Sequence, residues 1–265
     1  SILLGATFPL ISASVVRVAS GDAGSIIAVL YFVYSAGAAI GVLASAFWLI
    51  RMVGLPGAIL TAGLLNIFVG FAVWMAYTSR DSTGKQGSPA LPAPNRSRNL
   101  QVLVVTAAFV SGMASFIYEI SWVRMLSHVL GRTTHSFELM ISAFISGLAL
   151  GGLWIRRVVD RTPSPIQYAG VVQILMGLCA LATVPVFLAS FDWMSSILSH
   201  ARSTGSEYWS FAASTHLIAL AVMLPATFFA GMTLPLFTAI LFHDGQGERC
   251  IGRIYAVDTI GVIVG

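Results

Sequence analysis

From Ile26 to Ile50 no residue carries a charge, and the same holds from Leu55 to Tyr77. A helix rises about 1.5 Å per residue, so each run is long enough to cross a hydrocarbon layer of about 30 Å. Such runs are too long for barrel strands, and backbone groups in lipid must pair internally, so helices are required. Charged residues make up only 9% of the chain and hydrophobic ones 57%. Soluble domains carry roughly a quarter charged residues. This chain could not cover a water-exposed surface. The expected class is all-α: a polytopic transmembrane helix bundle whose first partner is the lipid bilayer.

Further segments follow from the same reading. Residues 1 to about 18 form the tail of one helix. Leu100 to about Leu126, His135–Ile155, and Ile166 to about Ser190, bent or ended at Pro185, are further spans. The polar stretch from Phe191 to Glu207 reads as interfacial or extramembrane. Tyr208–Phe242 is too long for one straight helix, and Pro225, Gly231 and Pro235 predict that it is kinked or broken. A last span starts at Ile251. Between Thr78 and Asn99 the composition shifts to Ser, Pro, Gly, Lys and Arg, which marks a linker. Asn95-Arg96-Ser97 is a formal glycosylation sequon, read as chance because the linker is placed in the cytoplasm.

Basic residues orient the bundle. Arg17, the linker's Arg80, Lys85, Arg96 and Arg98, then Arg156, Arg157 and Arg161, then Arg249 and Arg253 all fall in alternate loops. The intervening loops carry only Arg51, Arg132 and Arg202. The first set is therefore expected in the cytoplasm. The net charge of +4 fits an anionic leaflet. No basic cluster interleaves with aromatics, so nucleic acid is not an expected partner. Cys179 and Cys250 form no disulfide framework or zinc spacing.

One string occurs twice. Gly5-Ala6-Thr7-Phe8-Pro9-Leu10 returns as Gly231-Met232-Thr233-Leu234-Pro235-Leu236. Tyr31, Val33, Ser35, Gly37 and Gly41 then return as Tyr255, Val257, Thr259, Gly261 and Gly265. The repeat implies parts of two homologous halves. Superimposing them makes residues 1–77 the last three helices of a first six-helix half, the first of them partial. Residues 78–99 are then a cytoplasmic linker, and 100–265 the first four helices of a second half plus the start of a fifth. Two six-helix halves joined by such a linker resemble the major facilitator architecture. Gly147, Gly151, Gly152, Arg156, Arg157, Asp160 and Arg161 resemble that superfamily's cytoplasmic loop signature.

Longer strings carry a closer resemblance. Ser111–Ser115, Tyr118-Glu119-Ile120-Ser121-Trp122-Val123-Arg124, Leu130-Gly131-Arg132-Thr133 and Gly147–Gly151 are similar to the membrane portion of the fused major facilitator/spermidine synthase-like family. The two Gly-x-Thr-x-Pro-Leu strings and Tyr255–Gly261 are similar to it as well, with Asp258 where that family usually has Asn and the first copy has Tyr34. The resemblance implies a transporter-like membrane domain that moves a polyamine or related metabolite. It also implies partners: missing helices and an aminopropyltransferase-like domain of the same polypeptide. The alternative is a non-transporting anchor for that domain. The location implied is a bacterial inner (plasma) membrane. No dinucleotide-type glycine motif is present, so no catalytic residue or cofactor is expected within these residues.

Glu119 is the leading candidate site residue, because an acid inside an apolar span is costly and usually faces a cavity or a partner. It can hold an ammonium ion or a proton, or pair with another helix. Tyr118 and Trp122 flank it and can offer ring faces to a cation; both also suit an ordinary interface. Arg124 suits snorkelling toward a helix end. His135 and Glu138 lie one turn apart, as a relay or as a helix-start pair. His216 reads as a packing residue, and no third ligand at helical spacing predicts a metal site. Gly5, Thr7 and Pro9, with Gly231, Thr233 and Pro235, are candidate kink motifs for a rocking or a statically bent helix.

Overall fold

The computed structural model describes residues 2–18, 23–78, 98–204 and 208–265. Helices account for nearly all of them: α1 (Ile2–Val18), α2 (Ala23–Ala44), α3 (Ile50–Thr78), α4 (Arg98–Leu130), α5 (Thr134–Ile155), α6 (Pro165–Thr204), α7 (Tyr208–Leu241) and α8 (Arg249–Val264). Short π turns at Ser45–Leu49 and Phe242–Gln246 follow α2 and α7. No strand occurs among the described residues. Five stretches are long and apolar enough to cross a membrane, with Ala23–Met75 counted as one. Apart from its helical ends, the predicted 78–99 linker lies outside the described residues, as does the Asn95 sequon.

The chain turns inside α3 at Gly54, where φ is 70°, in the gap between the two expected spans; only glycine adopts that conformation freely, and Pro56 follows it. Two other stretches differ from expectation. α6 continues through Pro185 to Thr204, so the polar stretch expected outside the helix is its last turns. No glycine or proline stands between Pro185 and Gly205 to stop it. α7 likewise runs unbroken through Pro225, Gly231 and Pro235. Packing on both sides holds it helical where local propensity would end it.

α7 and α5 form the centre of the bundle, and their contact is set by glycines. A Cβ on Gly231 would overlap the Leu148 carbonyl, one on Gly151 the Phe228 carbonyl, and one on Gly147 the Thr227 side chain. Small residues at these points let two backbones touch, which is how helices gain packing energy in lipid. α5 turns Gly152 the other way, against Tyr31 and Phe32 of α2. α6 covers α7, and α8 packs along α4. Here too glycines meet backbone: Gly112 against Asp258, Gly261 against the Phe109 carbonyl, and Gly265 against Met113.

The buried side chains form two apolar clusters at different depths. One gathers Ile27, Val104, Ile155, Leu236 and Ile254. The other gathers Trp122, Leu126, Met140, Phe144 and Val222. Along α4 and α7, the residues between these clusters are 109–121 and 227–231, which include Ser111, Gly112, Ser115 and Glu119 on α4 and Thr227, Ala230 and Gly231 on α7. α3 stands apart: it packs chiefly on the π turn before it, Arg51 at its start lies over the Trp209 ring, and Ile59, Leu64, Ile67 and Phe68 are exposed.

Candidate functional site

Gly112, Ser115, Phe116 and Glu119 of α4 follow three- and four-residue spacing and therefore share one helix face. That face borders a cavity of about 120 Å³. α5 closes it with Phe144 and Leu148, α7 with Ala230, Thr233 and Leu234, α8 with Asp258 and Val262, and α2 with Tyr31. Liquid water occupies about 30 Å³ per molecule. The space thus suits a few waters, or one ammonium head with the start of its chain.

Its charge has one sign. Glu119 and Asp258 both line the cavity, and no Lys, Arg or His does. Among the described residues Glu119 forms no ion pair. Gly112 makes room for Asp258: a Cβ there would stand 2.9 Å from the Asp258 Oδ1. A charged acid at bilayer depth costs about 2.5–3.5 kcal/mol on insertion scales. Two acids without a base are best offset by a cation or by protons.

The repeated strings converge on this cavity. Thr233 and Leu234 line it directly. Their first-copy counterparts are Thr7 and Phe8, and Phe8 is buried against the rings of Tyr31, Tyr34 and Tyr255, with centroids 5.6–5.9 Å apart. Tyr31 and Tyr255 are themselves counterparts, as are Tyr34 and Asp258. The two copies therefore face each other, with aromatic rings on the first side and a carboxylate on the second.

The other expected site residues fall elsewhere. Trp122 is buried in the second apolar cluster, where its indole N–H donates to Thr183 Oγ1 at 3.1 Å. Tyr118 stacks on Trp122 at 5.5 Å rather than lining the cavity. Arg124 is exposed, at a distance from the Glu119 face, so the two do not pair. His135 Nδ1 lies 3.5 Å from Glu138, but the α5 cap is Thr133, which accepts from the Ser136 N–H. His216 lies on α7 outside the cavity, and its Nδ1 is buried without a hydrogen-bond partner. Within the kink motif, Thr233 Oγ1 donates to the Ala230 carbonyl at 2.7 Å, not to the Gly231 carbonyl that Pro235 leaves free. No group of three metal-ligating side chains occurs among the described residues.

Asp160 and Arg161 sit at one end of the bundle. Asp160 Oδ2 accepts the Ser25 N–H at 2.6 Å, so the α5–α6 connection caps the start of α2. Its Oδ1 lies 3.9 Å from His243 Nε2, and Arg156, Arg157 and Arg161 surround an open polar pocket beside it. Arg17 and Glu248 form an ion pair at the same end.

Asp258 and Tyr31 were not singled out as site residues from the sequence. Asp258 carries the same signal as Glu119, an acid in an apolar segment. Its counterpart in the first copy is Tyr34, so the repeat itself does not mark the position as acidic. Comparison with family models, with curated proteins and with solved structures finds no match to this chain.

Proposed function

We propose that this chain is the transporter-like membrane domain of a spermidine synthase-like fused protein, of major facilitator architecture, and that it moves a polyamine or related amine. Glu119 accepts the cationic group, and Asp258 supplies a second negative charge. The observation that carries the reading is the cavity that Glu119 and Asp258 share without a basic residue. Its place between the two copies of the repeat supports alternating exposure of a site by two halves that rock. A carboxylate of this kind contributes about 1.5–3 kcal/mol through a charge-assisted hydrogen bond.

The test is uptake of labelled polyamine into proteoliposomes by the full-length protein. Glu119→Gln is expected to raise the half-saturating concentration by about ten- to a hundred-fold, the equivalent of that hydrogen bond. Equal uptake by the variant and the parent removes Glu119 from the mechanism. No uptake by the parent removes the amine reading.

A further inference from the structure

The turn that follows α5 is short and strongly basic. The Arg157 N–H donates to the Trp154 carbonyl and the Arg161 N–H to the Val158 carbonyl, so Arg156, Arg157 and Arg161 are held close together. With Ser25, Leu153 and Asp160 they line an open pocket of about 430 Å³. All three arginines are exposed, and none forms an ion pair among the described residues. The one carboxylate in the lining is already engaged. Asp160 Oδ2 accepts the Ser25 N–H at 2.6 Å, and the buried Oδ1 lies 3.9 Å from His243 Nε2. The other basic residues at this end differ. Arg17 is paired with Glu248, and Arg249 and Arg253 stand on α8, outside the pocket.

The surroundings decide which anion fits. A guanidinium is a planar fork of donors matched to phosphate oxygens. Leu150 and Trp154 lie one turn apart on α5, exposed to 43% and 50%, and form an apolar stripe that leads to Arg157. The Trp154 ring rests against Phe228 with centroids 6.2 Å apart. Tryptophan near a helix end marks the headgroup level of a bilayer. A free phosphate would use the arginines and leave the stripe unused. A zwitterionic headgroup would bring an ammonium to a pocket whose only carboxylate is spent. A ligand with a phosphate, a net negative charge and an acyl chain uses every feature.

We propose that this pocket binds the phosphate of an anionic phospholipid, with one acyl chain along Leu150 and Trp154. The three guanidiniums hold the phosphate oxygens. A lipid seated there lies over the contact between Asp160 and Ser25 and braces the start of α2 against the α5–α6 connection. The site is separate from the cavity of Glu119 and Asp258, and the proposal does not rest on the amine.

The test treats the full-length protein, delipidated in detergent, with the arginine reagent phenylglyoxal and maps the modified residues by mass spectrometry. Dioleoylphosphatidylglycerol is expected to slow modification of Arg156, Arg157 and Arg161 by about five-fold or more. Arg249 and Arg253 should react at an unchanged rate. No protection overturns the proposal. Equal protection by dioleoylphosphatidylcholine or by inorganic phosphate overturns the anionic lipid as ligand, and equal protection of Arg249 and Arg253 overturns the pocket as its site. Native mass spectrometry gives a second readout. Arg157→Gln and Arg161→Gln are each expected to weaken phosphatidylglycerol binding by about five-fold, since one basic residue near an anionic surface contributes about that much. Arg253→Gln should leave binding as in the parent. Unchanged binding in the first two variants overturns the proposal as well. Neither assay reads amine uptake, so failure here leaves the proposed function standing.

Discussion

At the residue scale, glycines decide how closely this bundle packs. Gly231 has no room for a side chain, since a Cβ would overlap the Leu148 carbonyl and crowd its Cα. Neither atom is the tip of a flexible chain, so the helices must separate. Overpacking of this kind costs about 1–3 kcal/mol. Gly231→Ala is therefore expected to lose that much stability in a detergent unfolding assay. Gly177→Ala, where nothing lies within 4 Å, should stay within about 0.5 kcal/mol of the parent. A similar loss at both sites would mean that the α5–α7 contact is looser than described. Trp122 shows the opposite limit of sequence reading. Its neighbour Glu119 drew it into the candidate site, yet the indole N–H is spent on Thr183. The two residues share a helix face, but Trp122 lies nearly one turn further along α4, in the second apolar cluster instead of at the cavity.

At the scale of elements, one end of the bundle is tied by polar contacts between helices remote in sequence. Asp160 holds the start of α2, and Arg17 of α1 holds Glu248 before α8. The hydrogen bond from Arg17 keeps the Glu248 carboxyl below its ordinary value of 4.5. A carboxyl whose value is lowered on folding stabilises the folded state above its unfolded value and loses that contribution as pH falls through the folded one. The tie between α1 and α8 is thus fully present above about pH 4.5 and fades below it. Unfolding midpoints of the parent and Glu248→Gln, measured from pH 7 to pH 3, should converge as the acid limit is approached. A constant difference across that range would show that Glu248 acts without its charge. These ties were partly legible: Asp160 and Arg161 stood out as a loop signature, but no pattern in the sequence pairs Arg17 with Glu248.

At the scale of the whole molecule, the contacts of Arg17, Ser25, Asp160, His243 and Glu248 gather the basic loops at one end. Arg51, His135 and Trp209 meet Phe47 or each other at the other end. The basic residues carry the expectation that the first end faces the cytoplasm. Cysteines placed at Ser164 and at Thr133 test it with a membrane-impermeant thiol reagent in intact cells. Thr133→Cys is expected to react and Ser164→Cys to stay protected until the membrane is opened; the reverse pattern inverts the topology. α3 exposes a long apolar surface, with Ile59, Leu64, Ile67 and Phe68 all open.

Much of the architecture was set by the linear chain. Uncharged runs longer than the bilayer is thick leave a helix as the only way to satisfy the backbone, so class and helix count follow from composition and length. The doubled strings are visible as well, because they are written in residue order. Tertiary structure decided which faces of those helices meet. In an apolar chain every side of a helix is greasy, so amphipathic patterning cannot tell lipid from neighbour. Only the packed bundle brings Asp258 to the cavity that Glu119 lines, buries Trp122 elsewhere, and carries α6 and α7 through prolines that would end an isolated helix.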